Sequence, residues 1–88
     1  MIDQFRVRYD KDADVLYITT PEYGPASGEE DQPGVYWRYL NSDGTLVGVT
    51  VLDYTSYWKP RFKNLVEQFS EHFHVPRQAA ARVLSSVQ

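Results

Sequence analysis

The sequence predicts an α+β fold, in which a four-stranded antiparallel β-meander is followed by two C-terminal α-helices that pack on one face of the sheet. Hydrophobic residues alternate with polar ones in the first part of the chain, as in strands, and from Pro60 onward they repeat at helical spacing. The charges divide at the same place: residues 1–57 hold ten acids and four bases, net -6, and residues 58–88 hold two acids and five bases, net +3. The 88 residues predict a single domain over 1–88, with a sheet part over 1–54 and a helical extension over 60–87.

The first two predicted strands form a hairpin. In QFRVRY, the side chains of Phe5, Val7 and Tyr9 alternate with polar ones, which is the period of two expected of a strand with one buried face. The short polar side chains between Asp10 and Asp14 favour a turn, and the following VLYITT is rich in β-branched residues.

A mobile surface loop is predicted over residues 21–33. This segment contains three Pro, two Gly and the acidic cluster Glu29, Glu30 and Asp31. The third predicted strand is GVYWRYL, which the turn at 41–44 connects to the fourth, TLVGVTVLD.

The third and fourth strands are apolar on both faces, since Tyr36 alternates with Trp37 and Leu46 with Val47. Two short helices can cover only one face of a sheet, and a large exposed apolar patch on a small domain usually marks an interface. We therefore predict a homodimer whose contact buries Tyr36 or Trp37.

The helical part contains two amphipathic segments separated by a turn at His74 and Val75. Pro60 suits the first turn of the first segment, and Pro76 opens the second. The apolar stripes consist of Phe62, Leu65, Val66, Phe69 and Phe73 in the first helix, and of Ala79, Ala80, Val83, Leu84 and Val87 in the second.

The motifs YDKDADVLYI and GVYWRYLNSDGTLVGVTVLD resemble a bacterial family known as domain of unknown function 2283, over about residues 5–54. Arg38 departs from its pattern, because relatives tend to carry an acid there. The resemblance implies a small β-rich module that is often encoded beside a toxin and acts as an antitoxin, and it brings no catalytic residues. The positions that carry it are Tyr9, Asp10, Ala13, Asp14, Leu16, Tyr17, Ile18, Gly34, Val35, Tyr39, Gly44, Leu46, Val47, Gly48, Val49, Val51, Leu52 and Asp53.

Neither a metal site nor a catalytic site is expected. The row Asp10, Asp12 and Asp14 resembles the start of a calcium loop, but Val15 stands where the sharp turn needs Gly. His72 and His74 are two residues apart, so they project from different sides of a helix, and we expect them to face solvent. The sequence shows no nucleophile with a base and no phosphate-binding loop, so we predict a protein without cofactors that is not an enzyme.

The resemblance makes a bacterial protein-interaction module the leading hypothesis. We expect it in the cytoplasm, since the chain has no Cys and no segment that could span a membrane. Its acidic cluster would attract a basic partner such as a toxin. Aromatic residues at the junction of sheet and helices would either anchor that partner or belong to the core. The predicted partner-binding residues are Glu29, Glu30, Asp31, Tyr36, Trp37, Tyr57 and Trp58.

The alternative hypothesis is a DNA-binding regulator. The segment LVEQFSEHFHVPRQAAARVLSSV resembles a helix-turn-helix, in which Arg77, Gln78 and Arg82 would reach base edges or phosphates. The pI of 5.2 and the His at the turn, where Gly is favoured, count against this reading. In the simpler interpretation, both helices only cover the sheet.

Overall fold

The computed structural model describes residues 5–22 and 24–86, and in this part of the chain it contains one antiparallel sheet of five strands and two C-terminal α-helices. The α+β class is confirmed, but the predicted number of four strands is wrong. The strands are β1 (Arg6–Asp10), β2 (Val15–Thr19), β3 (Ala26–Gln32), β4 (Val35–Leu40) and β5 (Leu46–Leu52), and the helices are α1 (Phe62–Phe73) and α2 (Arg77–Ser85).

The additional strand is β3, which occupies most of the predicted surface loop. Its sequence, ASGEEDQ, has low strand propensity and no alternation of apolar and polar residues. It is a strand because β4 offers a row of backbone partners, and the two pair from Ala26 opposite Leu40 to Gln32 opposite Val35, with a bulge between Glu30 and Gln32. Pairing with a neighbour has thus overridden local propensity.

The predicted meander is also wrong, because the strand order is β1-β2-β5-β4-β3. A meander would place β2 beside β4, whereas β2 pairs with β5, for example Ile18 opposite Val49. Every residue of β5 is buried or half-buried. The most apolar strand therefore lies in the centre of the sheet, where it has a neighbour on each side.

The two helices agree closely with the prediction. Pro60 lies in a short 3-10 turn just before α1, and α1 ends where His74 adopts a left-handed conformation with φ of 56°. The hydroxyl of Ser70 donates a hydrogen bond to the Val75 carbonyl at 2.6 Å, which holds the turn between the helices. Val87, predicted as part of the second helix, lies outside the described residues.

The core lies between the helices and one face of the sheet, as predicted. Trp37 is 1% exposed, and the ring of His72 from α1 stacks on it at 3.7 Å between centroids. Neither described helix is long and apolar enough to cross a bilayer. The main core side chains are Leu16 and Ile18 from β2, Val35 and Trp37 from β4, Val49 and Val51 from β5, and Leu65, Val66, Phe69, Ala80, Val83 and Leu84 from the helices.

The opposite face of the sheet is less apolar than expected. Among the described residues, Tyr57 is the only large hydrophobic side chain that is substantially exposed, and Tyr36 and Leu52 are half-buried. The guanidinium of Arg8 lies 4.3 Å from the ring centroid of Tyr17 on this face. The homodimer stays a prediction, but the exposed apolar face from which it was argued is not found in the described part of the chain.

Candidate functional site

A cleft of about 290 Å³ opens between the β3–β4 turn and the segment that follows β5. That segment, Tyr54–Trp58, is a single π-helical turn, here called the π-turn. The cleft is lined by four of the seven predicted partner-binding residues, namely Glu30, Tyr36, Tyr57 and Trp58. The first and the last of these are 28 positions apart in the chain. The complete lining is Glu30, Pro33, Gly34, Tyr36, Leu52, Asp53, Tyr57 and Trp58.

The β3–β4 turn forms one wall of the cleft. A carboxylate oxygen of Glu30 accepts a hydrogen bond from the Gly34 amide at 3.2 Å. Gly34 has a φ of 86°, a left-handed conformation that favours glycine. The charge of Glu30 raises the pKa of the Tyr36 hydroxyl above its usual value, and partial burial adds to this effect. This wall of the cleft thus carries the negative charge of Glu30 beside the Tyr36 hydroxyl.

The π-turn forms the other wall, and its three aromatic residues divide into two groups. Tyr54 and Trp58 are buried, at 5% and 3% exposure, whereas Tyr57 is 45% exposed. The Tyr57 ring packs edge-on against Trp58 at 5.0 Å between centroids, and the guanidinium of Arg61 lies 4.0 Å from the Tyr57 centroid. Tyr54 thus belongs to the core, as one of the two alternatives for the junction predicted, whereas Tyr57 lies at the surface and its use by a partner stays a prediction.

Two polar groups at the base of the π-turn complete the cleft. The Asp53 residue is exposed and left-handed, with φ of 55°, and its carbonyl accepts the amide hydrogens of Tyr57 at 2.9 Å and Trp58 at 3.2 Å. The indole nitrogen of Trp58 is buried and has no hydrogen-bond partner in the described part of the chain. An added Cβ on Gly34 would lie 3.9 Å from this nitrogen, an ordinary van der Waals contact, so the positive φ and not crowding against the indole favours glycine at this position.

Asp14 fixes the π-turn to the β1–β2 hairpin. Its carboxylate accepts hydrogen bonds from the Tyr9 hydroxyl at 2.6 Å, from the amide and hydroxyl of Thr55, both at 2.9 Å, and from the amide and hydroxyl of Ser56 at 3.1 and 3.2 Å. Partial burial by itself would raise the pKa of Asp14, but these hydrogen bonds outweigh it and hold the pKa far below the usual range. Asp14 thus positions the wall that carries Tyr57.

The arrangement suits a cationic group. Carboxylates attract ammonium and guanidinium groups, and the faces of Tyr and Trp rings bind them through cation–π interactions. Glu30 and Asp53 bring two carboxylates to a cleft whose walls include Tyr36 and Tyr57. The described residues contain no group of three or more His, Cys, Asp or Glu side chains placed to hold a metal ion.

The remaining predicted partner-binding residues lie elsewhere. Glu29 pairs with Trp37 and so faces the helical side of the sheet, away from the cleft. An oxygen of Asp31 lies 3.8 Å from the Nε2 atom of His72, which places Asp31 on that side too. His72 was expected in solvent but is half-buried, and its ring stacks on Trp37. Trp37 is a core residue and not a surface contact, because it shares its strand face with Val35 beneath α1.

The three residues of the DNA-binding alternative, Arg77, Gln78 and Arg82, are all exposed on α2. A guanidinium nitrogen of Arg77 lies 3.3 Å from a carboxylate oxygen of Glu67 on α1. An exposed ion pair of this kind contributes little stability, so the Arg77 side chain is available to another anion.

Sequence reasoning missed several residues of the cleft and its support. Gly34 and Asp53 belong to the family resemblance and to the ends of predicted strands, and Asp14 belongs to the resemblance, the hairpin turn and the row of aspartates, but the sequence assigns none of the three to a binding site. The Asp14 side chain accepts hydrogen bonds from Thr55 and Ser56, which lie 41 and 42 positions later in the chain. Local periodicity in the sequence does not predict contacts over such a distance. A signal was present in Gly34, since glycine after proline favours a tight turn.

Comparison with known protein families identifies a match. A model of a family described as "Protein of unknown function (DUF2283)" matches residues 6–54. No curated protein and no solved structure matches the chain. The matched residues include all five strands and six of the eight residues that line the cleft, while Tyr57 and Trp58 lie beyond them.

Proposed function

The chain belongs to the DUF2283 family, and we propose that it is a non-catalytic protein-interaction module of the bacterial cytoplasm that binds a basic partner protein through the cleft, in the manner of an antitoxin. The observation that carries the proposal is that two acidic residues, Glu30 and Asp53, line one surface cleft together with Tyr36 and Tyr57.

The charge distribution supports a basic partner. The first 57 residues carry a net charge of -6, from ten acids and four bases, and they include both carboxylates of the cleft. Such a surface accelerates encounter with a positively charged protein and repels acidic competitors. The guanidinium of Arg61 lies over one face of the Tyr57 ring, so a cationic side chain of the partner would bind the other face or replace Arg61.

The shape of the cleft supports a protein rather than a small molecule as the partner. The exposed strand β3 lies directly beside it, so a partner that inserts one side chain can also contact the neighbouring surface. Tyrosine, tryptophan and arginine dominate the binding energy of protein interfaces, and Tyr57 is the exposed aromatic of this site.

Photocrosslinking in the native host tests the proposal. With a benzophenone amino acid at position 57, we expect one basic protein to be crosslinked and identified by mass spectrometry. The control places the same group at Ser42, an exposed residue of the β4–β5 turn at the other end of β4. A crosslink from position 42 without one from position 57 contradicts the assignment of the cleft.

A charge substitution in the cleft is expected to weaken binding. Glu30→Gln keeps the size of the side chain but removes the charge that faces the cation, so we expect the dissociation constant of the identified partner to rise about tenfold, or about 1.4 kcal/mol. The matched control is Glu71→Gln, which neutralises an exposed acid on α1. Equal affinities of the two variants in calorimetry would remove the basis of the proposal.

The two acids of β3 that face away from the cleft are expected to act mainly on the association rate. In the double variant Glu29→Gln/Asp31→Asn, association at low salt should slow several-fold while the dissociation rate changes by less, because exposed rim charges steer encounter. At 1 M salt, where the Debye length is about 3 Å, the difference from the parent protein should vanish. Stopped-flow measurements at two salt concentrations check this, and a change in the dissociation rate alone would contradict it.

DNA binding through α2 is the second candidate, favoured by the exposure of Arg77, Gln78 and Arg82 in a half that carries net +3 from five bases and two acids. Phosphate contacts make binding strongly dependent on salt. A salt-sensitive shift of duplex DNA that Arg82→Ala abolishes, with no crosslinked protein at position 57, would favour this candidate over the first.

A further inference from the structure

We propose that the outer edge of β3 pairs with an extended basic segment of the partner, which adds a sixth strand to the sheet. This inference rests on the proposed function and specifies how the partner is held. β3 is the last strand in the order β1-β2-β5-β4-β3, and no described segment pairs with its outer side. All of Ser27–Asp31 is exposed.

The hydrogen bonds at the start of β3 show which backbone groups point outward. The Asn41 amide donates to the Pro25 carbonyl at 2.9 Å, so residue 25 faces β4. Because this orientation alternates along an antiparallel strand, Ser27 and Glu29 bond to β4, while the amides of Gly28 and Glu30 point away from the sheet. The Arg38 side chain lies 3.4 Å from the Ala26 carbonyl oxygen, as expected for an outward carbonyl.

The side chains of β3 select against pairing between two copies of this edge. Exposed edge strands of native proteins carry charges and bulges that prevent self-association, and β3 has three consecutive acids and a bulge between Glu30 and Gln32. Two such edges would bring like charges together, which is destabilising. With a basic strand, the repulsion between the two edges is replaced by attraction. The acidic residues of β3 therefore favour pairing with a positively charged partner.

The two faces of β3 define the sequence that fits. Glu29 pairs with Trp37 on the helical side, and Glu30 pairs with Tyr36 on the side of the cleft. Residues opposite each other across strands have Cβ atoms about 4.5–5.5 Å apart. A strand with two adjacent basic residues would place one beside each carboxylate, and the one next to Glu30 would lie beside the cleft.

Amide hydrogen exchange of the full chain tests strand addition. The probe is a synthetic nine-residue peptide of alternating valine and threonine with a central Lys-Arg pair, and the control peptide carries Glu-Asp at the same place. With the basic peptide, exchange of the Gly28 and Glu30 amides is expected to slow at least tenfold, while Ser27 and Glu29 change little because they already bond to β4. Unchanged exchange at Gly28 and Glu30 with millimolar peptide overturns the inference.

Two substitutions at Gly28 separate backbone pairing from other modes of binding. Gly28→Pro removes an outward amide hydrogen, and proline is tolerated on edge strands where that hydrogen is not bonded within the sheet. Gly28→Ala keeps the amide, and its Cβ would meet neighbours at an ordinary 3.9 Å. We expect the affinity of Gly28→Ala for the peptide to be within about twofold of that of the parent protein, and the affinity of Gly28→Pro to be at least tenfold lower. Unchanged protection of the β4 and β5 amides from exchange shows that both variants are correctly folded.

Two further results would overturn strand addition while leaving the cleft intact. If the natural partner is crosslinked at position 57 and binds Gly28→Pro as tightly as Gly28→Ala, the cleft functions without an added strand. The Gly28 and Glu30 amides could also be protected from exchange in the absence of peptide. If that protection increases with protein concentration, a second copy of the chain occupies the outer edge of β3. The basic edge strand β1, with Arg6 and Arg8, would then be the segment that pairs with β3.

Discussion

Trp37→Ala is expected to lower the free energy of unfolding by about 3–5 kcal/mol, the largest effect that we predict for a single substitution. The indole is 1% exposed, and it contacts His72 and Phe73 of α1 at centroid distances of 3.7 and 6.1 Å. Its removal leaves a cavity between the sheet and α1. A domain of this size has a total stability of about 4–13 kcal/mol, so much of the population would unfold at 37 °C.

Urea unfolding monitored by circular dichroism measures this effect, and a matched variant tests its origin. Tyr36→Ala removes an adjacent aromatic from the other face of β4, where the side chain is half-buried, and we expect a loss of only about 1 kcal/mol. The loss for Trp37→Ala should not depend on protein concentration, because the indole is buried within one chain. A loss that shrinks on dilution would instead place Trp37 in a dimer contact, as the sequence suggested, because a dimer contact contributes less to stability at lower concentration.

Asp14→Ala is expected to cost about 2–3 kcal/mol, because it removes the acceptor of five hydrogen bonds from Tyr9, Thr55 and Ser56. The left-handed backbone at this position, with φ of 59°, adds a smaller cost when the residue is alanine. Since these bonds hold the π-turn, we also expect the exposed ring of Tyr57 to become more mobile, which ¹⁵N relaxation measures.

Asp14→Asn separates the charge from the shape of the side chain. Asparagine tolerates the left-handed conformation, but one of its two terminal groups is a donor and cannot accept the hydrogens of Ser56 or Thr55. We therefore expect an intermediate loss of about 1–2 kcal/mol. If the free energies of unfolding of Asp14→Asn and Asp14→Ala are both within about 0.5 kcal/mol of that of the parent protein, the carboxylate does not hold the π-turn against the β1–β2 hairpin.

The pH dependence of stability has a definite sign. The pKa of Asp14 is lower in the folded protein than its ordinary value of 3.8, so the unfolded chain binds more protons in acid. The stabilisation by this carboxylate is fully present above about pH 5 and is lost progressively as the pH falls below 3.8 toward the folded pKa. Between pH 5 and pH 2, the free energy of unfolding of Asp14→Asn should fall by less than that of the parent protein. An equal fall in both proteins would contradict the assignment of this pH dependence to Asp14.

Individual residues show how far the candidate site could be predicted. Tyr36 and Trp37 are neighbours in an apolar strand, and alternation places them on opposite faces without telling which face the helices cover. Tyr36 lines the cleft and Trp37 fills the core. Glu30 was expected in a solvated loop, but it accepts the Gly34 amide hydrogen and faces a cleft completed by Tyr57, 27 positions later.

The sequence by itself determined the α+β class, the position of both helices and the four apolar strands, because each of these depends on periodic burial within a short segment. The tertiary structure alone decided that β3 is a strand, that β5 lies between β2 and β4, and that Asp14 binds the π-turn. These features depend on backbone and side-chain groups that are distant in the chain. The free energy of pairing with a neighbouring strand is as large as the local conformational propensity or larger. The segment ASGEEDQ therefore adopts the strand conformation that pairing with β4 requires.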